Sequence, residues 1–402
     1  MAKPILIDIT RLIFRLLKGK RATGVDRVGL AYVAHYQSLY GERVRAVLSW
    51  RGRVGVLSPA ESAQVFRQLL HDNQYGANVW FWRKLLLKLG SFRRPDQAYA
   101  GSVLFNTGHK GVEAPEYVAT LRAMGVKPVY FVHDLIPLTY PEYCRPDEEA
   151  KHADRMTNML TSGAALLVNS DDTKREMEAF AASKNLPVLP IQTAWLASGL
   201  DADTIGKTAA SVPAEYADRP YFVALSTIEA RKNHLLLLQI WRRMVEQLGE
   251  EQVPRLIIIG QRGWECEQTI DLLERAHKLK NVVVELNGVS DAQLSSLLAH
   301  ARALLFPSFT EGFGMPLVEA LELGVPVIAS DIPVFQEIGQ AIPDFADPVD
   351  GLGWYRLVLA YAQPDSPERA AQMARMQAYR PWGWPDHFQQ VDAFLQQTGL
   401  LD

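Results

Sequence analysis

Two short segments of this 402-residue chain combine residue types and spacing suited to binding anions and hydroxyls. The first is Glu311-Gly-Phe-Gly-Met-Pro-Leu-Val-Glu319, two carboxylates eight positions apart around a glycine-rich helix start. The apolar run Leu304–Phe306 leads into it, Pro316 suits a first helical position, and a helix is expected over about 317–323. Gly312 and Gly314 let main-chain amides, with those of Phe313 and Met315, approach an anion closely. A carboxylate repels phosphate, so Glu311 and Glu319 are expected to accept hydrogen bonds from sugar or ribose hydroxyls. The competing reading leaves Glu319 to complement the helix dipole and Glu311 to solvent. The second segment, Ser226-Thr-Ile-Glu-Ala-Arg-Lys-Asn-His234, lies between the apolar run Tyr221–Leu225 and an apolar helix expected at 235–241. Cations at a helix start oppose its dipole, so Arg231 and Lys232 require an anionic partner, which a diphosphate would supply. The competing reading is a basic turn screened by water.

Three further positions follow from the same logic. His133, in His133-Asp-Leu-Ile-Pro137, ends the run 129–132 and is placed to hydrogen-bond a sugar or orient an acceptor hydroxyl; the alternative is a histidine satisfied by nearby main chain. Asp134 fits a cap for the next turn. Gly24, in Thr23-Gly-Val-Asp-Arg27, opens a helix expected at 28–39 and is a second place where amides would face a diphosphate. No Asp-x-Asp ends a strand; Asp201-Ala-Asp203 has the letters but falls between domains, so no metal is expected. Arg231, Lys232 and the amides near Gly314 would carry the leaving-group charge without one.

These positions depend on strands that end at the right places. Continuous apolar runs at 5–9, 103–105, 129–132 and 166–168, then Tyr221–Leu225, 256–259, 282–286, Leu304–Phe306 and 327–329, alternate with helical patterns. Unbroken runs mean strands buried on both faces, and helices between them mean parallel β-α-β units. The length suits two α/β domains. We place an N-terminal domain at 1–199, a linker at 200–219 and a C-terminal domain at 220–385, with an amphipathic helix at 386–400 after the bend Pro381-Trp-Gly-Trp-Pro385. A hydrophobic share of 48%, a charged share of 22% and a net charge of −3 describe a globular protein whose main partner is not nucleic acid. Cys144 and Cys266 stand apart and form neither a disulfide framework nor a zinc motif. The N-terminus lacks a signal-peptide pattern and no apolar run reaches membrane-spanning length, so a cytoplasmic location is expected.

Together these residues resemble glycosyltransferase family 4, the retaining GT-B glycosyltransferases. The specific core of the resemblance is the stretch 303–329 with its Glu-x7-Glu element. Thr227-Ile-Glu-Ala-Arg-Lys-Asn233, Ile259-Gly-Gln-Arg-Gly-Trp264, Asn287-Gly-Val-Ser-Asp291 and His133-Asp-Leu-Ile-Pro137 support it. The resemblance implies two Rossmann-like doubly wound domains facing across a cleft, with the helix at 386–402 packing back on the N-terminal one. It implies that Glu319 holds ribose hydroxyls, that Glu311 and the amides from Gly312 to Met315 hold the donor sugar, and that Arg231 and Lys232 hold the diphosphate. His133 would contact the transferred sugar. Many members carry an arginine where this chain has Thr227, and Arg231 would take over its role. The chemistry implied is transfer with retention at the anomeric carbon from a nucleotide sugar, with no other cofactor.

Two stretches are basic and apolar without any acid: Arg11-Leu-Ile-Phe-Arg-Leu-Leu-Lys-Gly-Lys-Arg21, and 79–94 with Trp80, Trp82, Arg83, Lys84 and Lys88. They are expected to face a membrane, which makes the protein peripheral on its inner face and the saccharide acceptor lipid-linked. The competing reading is core helices with snorkelling cations. The resemblance extends to bacterial mannosyl- and rhamnosyltransferases, which points to GDP-mannose as donor in surface polysaccharide assembly. A sugar-nucleotide epimerase and a non-catalytic assembly scaffold are the alternatives. An NAD-dependent dehydrogenase is disfavoured, because no Gly-x-Gly-x-x-Gly follows the first strand.

Overall fold

The computed structural model describes residues 3–19, 22–50, 53–87, 97–199 and 214–401. The chain forms two compact units, one comprising Met1–Leu138, Asp147–Ala197 and Gly383–Asp402, the other Thr139–Pro146 and Ser198–Trp382. The first holds β1 (Ile5–Asp8), β2 (Val44–Trp50), β3 (Arg53–Val56), β4 (Val103–Asn106), β5 (Lys127–Val132), β6 (Ala165–Val168) and β7 (Ile191–Thr193) in the sheet order β3-β2-β1-β4-β5-β6-β7. All its pairings are parallel except β2 with the edge strand β3. Every residue of β1, β4 and β6 is buried, as expected for strands covered on both faces.

The second unit holds β8 (Tyr221–Leu225), β9 (Arg255–Ile259), β10 (Val283–Leu286), β11 (Leu304–Phe306), β12 (Val327–Ser330) and β13 (Asp344–Ala346). Their order is β10-β9-β8-β11-β12-β13, and every pairing is parallel. In both sheets the winding reverses between the first strand and the fourth, β1 beside β4 and β8 beside β11. That reversal opens a crevice at the strands' carboxyl ends, where a doubly wound sheet takes its ligand.

The apolar runs all coincide with strands, Tyr221–Leu225 and Leu304–Phe306 end for end and the others with an end moved by one or two residues. Two helices moved further, the segment expected at 235–241 spanning His234–Leu248 and that at 28–39 spanning Gly24–Tyr40, while that at 317–323 spans Met315–Glu322. The C-terminal helix runs Trp384–Gln397, and its residues belong to the first unit. Its His387 is fully buried, with Nδ1 2.9 Å from Trp195 O and Nε2 3.1 Å from Tyr32 Oη. Asp392 accepts from Tyr36 Oη at 2.8 Å.

One segment departs from the expected domain bounds. Thr139–Pro146 belongs to the second unit although it lies far ahead of residue 200 in sequence. Tyr143 stacks on Phe309 at 5.3 Å between ring centroids, and the Arg145 guanidinium lies 4.8 Å from the Trp264 ring. Most of the expected linker, 200–213, and with it Asp201-Ala-Asp203, lies outside the described residues.

Candidate functional site

The loop after β8 and the loop after β11 meet at the crevice of the second sheet. The main chain joins them first, Phe309 N donating to Arg231 O at 2.8 Å. The β8 loop is also laced to the loop after β9: Ile228 N donates to Gln261 O and Gly263 N returns to Ile228 O. Glycine is required at 260, since a Cβ there would lie 1.9 Å from Ser226 O. Gly314, immediately before the Met315–Glu322 helix, has φ +117°, and a Cβ on it would meet Phe335 at 2.8 Å. These contacts leave the site's backbone little freedom.

On this frame Glu311 ties the two sequence motifs together. Its Oε2 takes Arg231 Nη1 at 2.7 Å, and its Oε1 takes Ser308 Oγ at 2.8 Å and the Lys232 ammonium. Arg231 also donates from Nη1 to Thr310 O at 3.0 Å and pairs through Nε with Glu229 at 2.7 Å. Lys232 stands 5.5 Å from the centre of the Phe306 ring, a cation–π contact. The side chains of Glu229, Glu311 and Lys232 are only 2%, 7% and 10% exposed. Burial alone would raise the Glu311 carboxyl, but Arg231 and Lys232 outweigh it and hold it at about 2. Burial does win at Glu229, whose carboxyl is raised despite the same two cations. Lys232 is pulled below the ordinary lysine value by burial and by Arg231. His234 next to it falls to about 3 through burial and the charge of Lys232, so it sits neutral at the helix start.

The division of labour expected from sequence is therefore altered. The anionic partners that offset two cations at a helix start come from within the chain, Glu311 and Glu229, and Glu311 is no solvated loop residue. Sequence reasoning assigned no role to Glu229; the signal was an acid two residues ahead of an arginine in a turn. Glu319 is buried on the Met315–Glu322 helix and accepts from Gly199 N at 3.2 Å. Phe313 is buried, whereas Thr227 is exposed at the end of β8.

Residues 207–341 match the family described as Glycosyl transferases group 1. The chain carries a glycosyl transferases group 1 domain. Its matched span takes in Arg231, Lys232, Glu311 and Glu319. The serotype-specific mannosyltransferase WbdA of Escherichia coli is 28% identical over 387 residues, 90% of this chain and 44% of WbdA. The Escherichia coli O-antigen chain mannosyltransferase B is 30% identical over 258 residues, 63% of this chain and 65% of that protein. The chain thus spans less than two thirds of the length of these relatives. Among solved structures, Anabaena Alr3699/HepE in complex with UDP superposes with a TM-score of 0.62 at 15% identity, covering 98% of this chain and 100% of that one. Together with the two mostly parallel sheets, this likeness gives a GT-B fold.

The remaining expected site residues lie in the first unit. His133 is buried after β5, with Nε2 2.7 Å from Thr107 O, and burial lowers it to about 4 even though that bond and Asp134 oppose the shift. Gly24 opens the Gly24–Tyr40 helix, but the Asp26 carboxylate closes its first turn, taking Thr23 N at 2.8 Å and Thr23 Oγ at 2.6 Å. Arg11 and Arg15 pair with Asp26 at 2.9 and 2.6 Å, so this helix start is already supplied with an anion and two of the basic side chains are occupied by it.

Trp82 is a correction. It was expected to face a membrane, but it is fully buried and donates from Nε1 to Asp72 Oδ2 at 2.7 Å. Helical spacing explains the difference: on the helix Val79–Leu87, Trp82 and Leu85 turn inward while Trp80, Arg83, Lys84 and Leu87 share the exposed face. Lys88 lies outside the described residues. Among the described residues no cluster of His, Cys, Asp and Glu is arranged to hold a metal ion, and no helix is long and apolar enough to cross a membrane.

Proposed function

We propose that this chain is a retaining glycosyltransferase that moves mannose from GDP-mannose to a lipid-linked saccharide in surface polysaccharide assembly. The observation that carries this reading is the cluster of Arg231, Lys232 and Glu311 at the switch point of the second sheet. A nucleotide sugar presents a diphosphate beside an array of hydroxyls, and the cluster offers two cations beside a buried, ionised carboxylate. As the glycosidic bond breaks, negative charge grows on the departing diphosphate. Arg231 and Lys232 are fixed before that moment, so stabilising the charge needs little reorganisation. Glu311 accepts from hydroxyls of the sugar, and attack on the face the diphosphate leaves retains the anomeric configuration. Mannose as the sugar is supported by the names of the relatives, mannosyltransferases of O-antigen assembly. No protein cofactor or metal enters this reading.

The test is a thermal-shift series with GDP-, UDP-, ADP- and dTDP-sugars. A ligand that binds only the native state at a hundred times its Kd adds about 2.7 kcal/mol of stability. GDP-mannose is expected to raise the melting temperature most, and radiolabelled mannose is expected to pass to a lipid-linked saccharide with its configuration kept. Failure of every nucleotide sugar to stabilise the protein would remove the reading, and an isomerised sugar without acceptor would replace it with an epimerase.

Peripheral contact with an anionic membrane surface belongs to the same proposal. Trp80 and Leu87 are 71% and 80% exposed on one helix face with Arg83 and Lys84, and the Lys84 ammonium lies 5.1 Å from the Trp80 ring centre. Apolar and cationic groups on one face suit the headgroup layer, each cation contributing about 1 kcal/mol near an anionic surface. Charge reversal at Arg83 and Lys84 should release the protein from anionic vesicles in a sedimentation assay. Unchanged sedimentation would assign this face to solvent.

A further inference from the structure

We infer that His109 binds a sugar hydroxyl beside His133, as a recognition residue that the sequence motifs do not mark; the inference rests on the glycosyltransferase reading above. His109 lies in the loop after β4, at the crevice where the first sheet reverses its winding. Its backbone has φ +58°, a conformation that glycine or asparagine adopts more readily than histidine. A dedicated network holds it there. Asn106, buried at the end of β4, accepts Gly108 N at 3.2 Å and His109 N at 2.9 Å through Oδ1. The same side chain donates to Tyr117 Oη at 3.0 Å, and Tyr117 donates to the buried Asp8 at 3.1 Å. An imidazole stands at a position where glycine would cost less, fixed by three buried polar side chains, and such local strain is characteristic of functional positions.

The ring is oriented as closely as the backbone. Its Nε2 lies 2.5 Å from Phe131 O, and a carbonyl only accepts, so Nε2 carries the proton. His133 is held the same way on Thr107 O, and the two rings are 5.2 Å apart. Burial, reinforced by the charges His133 and His152 would carry, keeps His109 well below the usual histidine range and therefore neutral. Each ring then directs a lone pair on Nδ1 away from the main chain that holds Nε2. Two adjacent neutral acceptors complement neighbouring hydroxyls on a sugar ring, which have protons to donate; the doubly esterified diphosphate of a nucleotide sugar has no such proton at neutral pH.

Two substitutions separate recognition from structure, because glutamine places its amide near the Nε2 position and asparagine near Nδ1. His109→Gln should keep the bond to Phe131, at a small cost in melting temperature for glutamine at φ +58°, yet lose about tenfold in transfer kcat/KM, the weight of one hydrogen bond to substrate. His109→Asn tolerates the backbone conformation, loses the Phe131 bond and melts lower, yet should retain transfer within about threefold. Transfer that instead follows the melting temperatures, Gln at or above Asn, would overturn the inference. So would wild-type transfer in both variants. Hydrolysis of the nucleotide sugar without acceptor identifies the source of the hydroxyl: an equal loss in His109→Gln assigns it to the donor sugar, and a raised acceptor KM with hydrolysis unchanged assigns it to the acceptor. A wild-type protein that transfers no sugar would refute the underlying reading, an outcome distinct from any of these.

Discussion

Lys232→Ala is expected to weaken GDP binding by about 10- to 100-fold and to lower transfer kcat/KM by about a thousandfold. A charge-assisted hydrogen bond contributes about 1.5–3 kcal/mol, which sets the binding loss. The further loss in rate follows from charge that accumulates on the diphosphate only as the sugar departs, since removing one fixed donor to such charge costs about 10²–10³. Lys232 is well placed for this because its ammonium is buried and already held by Glu311 over the Phe306 ring. The variant also leaves Glu311 with Arg231 as its remaining cation in the cluster, and breaking a buried ion pair costs about 3–5 kcal/mol, so a lower melting temperature should accompany the loss. Titration calorimetry with GDP separates the effects. Unchanged affinity in a folded Lys232→Ala protein would remove the diphosphate from this cluster.

The parts of the fold visible in sequence are those that hydrophobicity alone specifies. β8 and β11 are unbroken apolar runs, and a strand buried on both faces permits little else. β2 carries Arg45 and Ser49 within its run, and β7 and β13 are three-residue edge strands whose sequences, Ile-Gln-Thr and Asp-Phe-Ala, have no period to detect. Trp82 shows the same limit on the surface: the 79–94 segment is uniformly basic and apolar, and only its helical phase decides which tryptophan turns inward.

In the site, types and spacing disclosed the participants but not their pairing. Glu311 and Arg231 are 80 positions apart, and nothing local to either announces that a carboxylate expected to hold hydroxyls also neutralises both cations. The contact arises because β8 and β11 are neighbours at the switch point, a property of strand order. Asp26 is similar: an ordinary helix-start residue in sequence, it gathers Arg11 and Arg15 only once the helices pack. His109 had no signal at all, since its distinction is a backbone angle and a network through Asn106 and Tyr117.

The pairing makes Glu311→Gln the second large-effect substitution, and its expected pattern is opposite in part to that of Lys232→Ala. Glu311 is ionised in the ligand-free protein because Arg231 and Lys232 hold it so, and in that state it offsets charge that a diphosphate would otherwise meet. Glutamine keeps the shape, and its amide oxygen still accepts from Ser308 or Lys232, but the negative charge is gone. The unliganded variant should melt lower, since the buried Lys232 and the partly buried Arg231 then face Glu229, whose own carboxyl burial pushes toward the neutral form. GDP should bind at least as tightly as to wild type and restore more stability on binding, because its phosphates replace the missing charge. Under the proposed function, transfer should nevertheless fall by about 10²–10³, since the carboxylate assigned to the sugar hydroxyls, and so to alignment of the anomeric carbon, is no longer there. Calorimetry and single-turnover kinetics on one preparation decide the matter. Full transfer by Glu311→Gln would reduce Glu311 to an internal counter-ion, while a loss of GDP affinity matching that of Lys232→Ala would mean that the carboxylate serves the diphosphate by shaping the two cations, not the sugar.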